Sequence, residues 1–127
     1  MTLPPGNAFN GLHVLLAEDN RTNRMLIQAF LAALPLRLSF ACDGHEAVAH
    51  TLDLRPDIVL MDISMPGLDG LAATAEIRRS SPAQPRIIAL TANTTPSHQA
   101  ACLAAGMNAF LPKPVQRNRL LHLLQSQ

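Results

Sequence analysis

The chain has 127 residues, ten of them basic and nine acidic, for a formal net charge of +1. That length fits one domain whose core can stand without disulfides or a structural metal, and charge spread this evenly excludes the clustered Lys/Arg footprint of a nucleic-acid binder. The longest apolar runs are strand length, well short of the roughly 18 residues a spanning helix needs, and residues 1–10 lack the basic start and apolar middle of a signal peptide. The sequence therefore predicts a cytoplasmic module without direct membrane contact.

Residues 1–11 are rich in Pro, Gly and Asn and read as a linker, with the folded domain expected over 12–127. A first strand is predicted at about 12–18, ending in Glu18 and Asp19. Asn20 then suits the N-cap of a helix reaching about Leu34, with Met25, Leu26, Ala29, Phe30, Ala33 and Leu34 at helical spacing. Pro35 stops it. Leu36 to Ala41 alternates apolar and polar residues as a strand with one wetter face does. Asp43 caps a second helix over about 44–54, with Ala47, Val48 and Leu52 on its inner side, and Arg55-Pro56 breaks it.

The central run Ile58 to Asp62 is a buried strand that delivers a carboxylate where the apolar residues stop, and Met65-Pro66-Gly67 turns the chain at once. Asp69 caps a third helix through about Ser80. A fourth strand, Arg86 to Thr91, ends in a hydroxyl. Pro96 opens a fourth helix at the position where a missing N–H costs least, and Gly106 closes it. Asn108 to Leu111 reads as the fifth strand, leading to Lys113, the one lysine of the sequence, and Val115 to about Ser126 as the last helix.

Strand and helix thus alternate five times with short connections, which predicts an α/β fold with a parallel sheet covered on both faces. Right-handed crossovers put every strand's carboxyl end on one rim, the edge where open α/β sheets bind ligands. Glu18, Asp19, Asp62, Thr91 and Lys113 all fall there. Three carboxylates repel one another unless a cation intervenes, and an oxygen-only site of few protein ligands favours Mg2+. Beside a metal and an ammonium, a carboxylate can attack phosphorus to form an acyl phosphate, and Asp62, single and central, is the best placed nucleophile. Cys42 and Cys102 have no C-x-x-C spacing and read as reduced thiols, while the five histidines lack ligand spacing and read as surface or packing residues.

Four segments now bear on family: Leu-Leu-Ala-Glu18-Asp19-Asn20, Met61-Asp62-Ile-Ser-Met65-Pro66-Gly-Leu-Asp-Gly70, Leu90-Thr91-Ala92-Asn93 and Leu111-Pro112-Lys113-Pro114. In this order and spacing the chain, over about Leu12 to Leu124, resembles a CheY-like response regulator receiver domain of bacterial two-component signalling. The resemblance implies a flavodoxin-like, doubly wound (βα)5 three-layer sandwich with strand order 2-1-3-4-5. It implies that Asp62 is the phosphoacceptor and a metal ligand, Asp19 a direct Mg2+ ligand, Glu18 a ligand through water, and the Ser64 backbone carbonyl a further ligand. Thr91 resembles the switch hydroxyl, Lys113 the phosphate-pairing cation, Ala92 the small residue beside the phosphoryl group, and Phe110 the switch aromatic, here without the hydroxyl of the more usual tyrosine.

By the same resemblance a histidine kinase or histidine phosphotransfer domain supplies the phosphoryl group. The surface of the fourth helix, fifth strand and fifth helix then responds, and it is also the candidate homodimer face. The run Gly11 to Asn23 is similar to receivers attached to hybrid sensor histidine kinases, and that origin is preferred to a free-standing regulator or to an unphosphorylated interaction module. The domain itself is then a phosphoacceptor with autodephosphorylation, and kinase activity belongs to the parent chain. Two other classes fit less well: a haloacid-dehalogenase-type phosphatase wants an acid where Ser64 stands, and a flavodoxin wants a hydroxyl-rich first loop in place of Glu18-Asp19.

Overall fold

The computed structural model describes residues 9–82 and 84–125. The first eight residues of the expected linker, and Ser126 at the expected end of the last helix, lie outside the described residues. The elements are β1 (His13–Ala17), α1 (Arg21–Leu31), β2 (Arg37–Ala41), α2 (Gly44–Leu54), β3 (Ile58–Asp62), α3 (Gly70–Ser80), β4 (Arg86–Thr91), α4 (Pro96–Ala105), β5 (Ala109–Pro112) and α5 (Arg117–Gln125). The five strands form one parallel sheet in the order β2-β1-β3-β4-β5. Among the described residues, no helix is long and apolar enough to cross a membrane.

Parallel strands covered on both faces read as unbroken apolar runs, and β1 and β3 are buried at every position. Side chains alternate between two cores. Val14, Leu16, Ile58, Leu60, Ile88 and Leu90 pack with Ile27 and Leu31 of α1 and Leu120, Leu121 and Leu124 of α5. Leu15, Ala17, Val59, Met61, Ile87 and Ala89 pack with Ala47 of α2, Ala73 and Ile77 of α3 and Cys102 of α4. Phe9, in the Pro/Gly/Asn lead, is fully buried in the first of these cores.

Side-chain caps fix where the helices start. Asn20, Asp43, Asp69 and Thr95 each accept the N–H of the residue three further on. Glu46 also reaches back to accept the N–H of Cys42, the residue before the cap, at 3.2 Å, so the start of α2 is held from both sides. Helix α1 ends at Leu31 rather than Leu34: Pro35 offers no N–H and disfavours helical geometry at Leu34, so the last residues close in tight turns. Its buried face is also not the expected one. Met25 is 56% exposed and Leu26 is exposed too, whereas Ile27 and Leu31 are buried and Phe30 and Leu34 half-buried. Leu52 of α2, expected inward, lies on the open side, lining a groove with Val48, Leu68 and Ala72. Strand β5 begins and ends one residue later than expected.

Two polar devices hold the sheet's periphery. Arg78, at the end of α3, donates from Nε to the Gly106 carbonyl at 2.9 Å, from Nη1 to the Pro85 carbonyl at 2.8 Å and from Nη2 to Asn108 Oδ1 at 2.8 Å. Asn108 Oδ1 in turn accepts the Ile87 N–H at 2.8 Å. One guanidinium thus joins α3, the start of β4 and the α4–β5 turn. Gly106 is glycine for two reasons: its φ is 110°, and a Cβ there would meet Arg78 Cγ at 2.7 Å. On the β1–β2 side of the sheet, buried His13 is hydrogen-bonded through Nε2 to Ser39 Oγ at 2.8 Å, and its N–H donates to Asp57 Oδ2 at 2.8 Å.

Arg78→Ala removes these charge-assisted bonds and takes their donor from the buried Pro85 and half-buried Gly106 carbonyls, so a loss of about 1–3 kcal/mol is expected in urea denaturation, with Arg78→Lys recovering little because an ammonium lacks the fork. His13 sets a pH dependence. Burial pushes its imidazole below the ordinary value of 6.5, the charge of Arg37 adds to this, and Asp57 opposes it. The unfolded chain therefore binds a proton that the folded one resists, and the stability contributed by neutral His13 is full above the unfolded value and lost as pH falls through the folded one. Between about pH 7.5 and 5.5 the urea midpoint of the native protein should drop more than that of His13→Gln.

Candidate functional site

The sheet's hydrogen-bond ladder runs on past the strand ends and carries the site residues with it. Glu18 N–H donates to the Ala41 carbonyl at 3.0 Å, Ile63 N–H to the Leu90 carbonyl at 3.2 Å and Lys113 N–H to the Thr91 carbonyl at 2.9 Å. With the pairing of Ala17 and Met61 between β1 and β3, the last residues of β1, β3, β4 and β5 are fixed side by side. Gly70, at the start of α3, closes the site from behind: its N–H donates to the Ile63 carbonyl at 3.0 Å, and a Cβ would stand 2.3 Å from the Asp62 carbonyl oxygen. Any larger residue there would displace the backbone that carries Asp62.

Glu18, Asp19 and Asp62 bring one carboxylate oxygen each to within 4.8 Å of one another. Asp62 is 2% exposed and Glu18 is fully buried, while Asp19 faces solvent. Lys113 reaches into the cluster, with Nζ 2.9 Å from Asp62 Oδ1 and 3.4 Å from Glu18 Oε2. The Ser64 N–H also donates to Asp62 Oδ1, at 3.2 Å. Both bonds therefore fall on Oδ1, and among the described residues Oδ2 accepts none.

Burial lifts the Glu18 carboxyl above its ordinary range; the hydrogen bond from Asn23 counters this, the charge of Asp62 adds to it, and Lys113 and the Asn20 N–H oppose it. Burial by itself would lower the Lys113 ammonium, but its contacts with Asp62 and Glu18 outweigh burial and hold it above its ordinary value. Glu18 Oε1 is held by Asn23 Nδ2 and the Asn20 N–H, whereas Oε2 is buried and has no hydrogen bond among the described residues. An all-carboxylate donor set with one orphaned, buried oxygen fits a hard divalent cation that prefers oxygen and keeps part of its water.

The remaining predicted residues divide into two groups. Ala92 follows β4 directly and is exposed. Thr91 is 5% exposed at the end of β4, but its hydroxyl is engaged away from the carboxylates, 3.0 Å from His98 Nε2 and accepting the Asn93 N–H at 3.0 Å. Phe110 is half-buried on β5, packed on the core under α2–α4 and lining a cleft with Asn118, Arg119 and His122 of α5. His98, expected among surface and packing residues, is instead a hydrogen-bond partner of a site residue. Its sequence neighbours give no sign of this, since the contact joins two elements seven residues apart through a turn. Cys42 is exposed and Cys102 buried, and both are free thiols.

A family model described as response regulator receiver domain matches residues 14–125. The autoinducer 2 sensor kinase/phosphatase LuxQ of Vibrio parahaemolyticus is 38% identical over 117 residues, which are 91% of this chain and 14% of that protein. The chain thus spans about one-seventh of the length of this curated relative. The receiver domain of a sensor histidine kinase of Pseudomonas aeruginosa, solved with a magnesium ion coordinated in its active-site cleft, matches with a TM-score of 0.83 and 43% identity, covering 91% of this chain and 95% of that one. A co-crystal structure of the Saccharomyces cerevisiae histidine phosphotransfer protein Ypd1 with the receiver domain of its downstream response regulator Ssk1 matches with a TM-score of 0.83 and 28% identity, covering 91% of this chain and 88% of that one.

Lys113→Met leaves the cluster without its ammonium and should cost about 1–3 kcal/mol in urea denaturation with a chelator present, the lower end reflecting partial solvent access at Nζ. Equal stability of the two proteins would mean that the carboxylates do not depend on Lys113.

Proposed function

Because this chain belongs to the response regulator receiver domain family of two-component signalling, we propose that Asp62 takes a phosphoryl group from a phosphohistidine on a histidine kinase or histidine phosphotransfer domain. The observation that carries this reading is the Lys113 ammonium 2.9 Å from Asp62 Oδ1, in a cluster that also holds Glu18 and Asp19. Among the described residues it leaves one carboxylate oxygen, Oδ2, without a hydrogen bond, in a carboxylate anchored to a fixed cation.

In the transfer Oδ2 of Asp62 forms a bond to phosphorus as the donor's P–N bond breaks. The electron pair leaves with the imidazole, which then takes a proton from solvent, and the product is an acyl phosphate. Lys113 orients Asp62 through Oδ1 and offsets charge on the transferring oxygens. Asp19, Asp62 and the Ser64 backbone carbonyl would hold Mg2+ directly and Glu18 through a water, and the bound ion would supply further neutralisation of the phosphoryl oxygens. Thr91 donates its hydroxyl proton to one of those oxygens, and the methyl side chain of Ala92 leaves room for the incoming group. Hydrolysis of the acyl phosphate at the same site returns Asp62 to its starting form.

Phosphorylation shifts a population between two arrangements by adding contacts that one of them makes better. Thr91 and Phe110 transmit that bias to the surface of α4, β5 and α5, where a partner or a second copy of the chain would read it. Phe110 has no hydroxyl, so its share in the change is one of packing. The similarity to a sensor kinase of which the chain covers 14% supports a place as the receiver part of a hybrid sensor histidine kinase on the cytoplasmic side.

Intact mass after incubation with acetyl phosphate should show one added phosphoryl group in the native protein, dependent on Mg2+ and removed by hydroxylamine, and none in Asp62→Asn. Mg2+ should also raise the urea midpoint of the native protein, as any ligand specific for the folded state does, and raise it less in Asp19→Asn. An adduct that persists in Asp62→Asn would place the acceptor elsewhere. No adduct and no Mg2+ effect would favour an interaction module that is never phosphorylated.

A further inference from the structure

For Thr91 to donate to a phosphoryl oxygen its hydroxyl must be free to turn, and in this structure that hydroxyl is already committed. Oγ1 lies 3.0 Å from His98 Nε2, accepts the Asn93 N–H at 3.0 Å and stands 3.3 Å from the Asn93 carbonyl oxygen. Thr91 is nearly buried, so water has little access to take over any of these bonds.

His98 is in the first turn of α4 and is itself well fixed. Its N–H is capped by Thr95 Oγ1 at 3.4 Å, and Thr95 is held in turn by Asn93 Oδ1, at 3.0 Å from its N–H and 2.8 Å from its hydroxyl. One helical turn further on, the buried thiol of Cys102 lies 3.7 Å from the same Nε2. The ring therefore sits between the end of β4 and the underside of α4.

A threonine hydroxyl has one proton and two acceptor positions. If Nε2 is bare, Thr91 spends its proton on His98; if Nε2 carries hydrogen, it occupies a lone pair of Oγ1 and holds the rotamer. In either tautomer the bond must break before Oγ1 can swing toward Asp62. We propose that His98 is a positioning residue that holds the Thr91 hydroxyl against α4 and ties the first turn of that helix to the phosphoryl site. This deepens, and rests on, the reading of Asp62 and Thr91 given above. When Thr91 turns to the phosphoryl group, His98 loses its partner and the first turn of α4 loses this hydrogen bond to the end of β4.

The test uses the full chain with Thr91→Val, His98→Ala, His98→Gln and the double variant His98→Ala with Thr91→Val. In the unphosphorylated protein, Thr91→Val should move the imidazole Nε2 nitrogen-15 resonance of His98, and an unmoved resonance overturns the contact without reference to any phosphoryl chemistry. Beryllofluoride with Mg2+ then serves as the phosphoryl probe. His98→Ala should tighten its binding about 5–10-fold, the worth of one released hydrogen bond, and should change nothing when Thr91 is already Val. His98→Gln, which keeps an acceptor and a donor near Oγ1, should return affinity close to that of the native protein. Equal affinity of native protein and His98→Ala overturns the proposal, as does an equal gain with and without Thr91. If the native protein does not bind beryllofluoride at all, the Asp62 reading falls and the coupling falls with it, while the imidazole resonance still decides the contact.

Discussion

Holding the carboxylates of Glu18, Asp19 and Asp62 within 4.8 Å of one another costs electrostatic free energy, and the fold offsets it with one ammonium, which reaches Asp62 at 2.9 Å and Glu18 at 3.4 Å. Much of the architecture serves that arrangement. The parallel sheet brings the strand ends to one edge, the ladder continues beyond β1, β3 and β5, and Gly70 lets α3 press against the backbone of Asp62. The compensation is incomplete, since one ammonium faces three acids and, among the described residues, Glu18 Oε2 has no hydrogen bond. A rim in that condition gains from any further cation, and adding a phosphoryl group to it without one would be costly.

The parts of this fold that could be read from the sequence are those where a local signal and the tertiary environment agree. Buried parallel strands must be apolar throughout, so Val14 to Ala17 and Ile58 to Met61 announce themselves, and carboxylates at their ends stand out against them. The caps at Asn20, Asp43, Asp69 and Thr95 are local hydrogen bonds and so are visible locally.

Helix α1 shows where this agreement fails. Apolar residues occur at 25, 26, 27, 29, 30 and 31, enough to build more than one face, and periodicity cannot choose among them. The sheet chooses, by presenting its core to Ile27 and Leu31 and leaving Met25 outside. His98 was illegible for a different reason. A histidine within an apolar helix carries no pattern of its own, and its meaning comes from the distance between α4 and the end of β4, which only the folded chain defines. The same holds for His13 and Ser39, on two strands whose register brings them together.

Arg78 gives α4 an asymmetry. Its guanidinium grips the carbonyl of Gly106 while also holding Pro85 and Asn108, so the carboxyl end of the helix is moored to α3 and to the foot of β4, far along the helix from the carboxylates. The amino end is held by the hydroxyl and amide groups around Thr91 and Asn93. A rod pinned at one end and latched at the other would not slide if the latch opened; it would pivot. Displacement would then be smallest at Gly106 and grow toward Pro96, so a change at the sheet edge would be delivered as an angle rather than a shift.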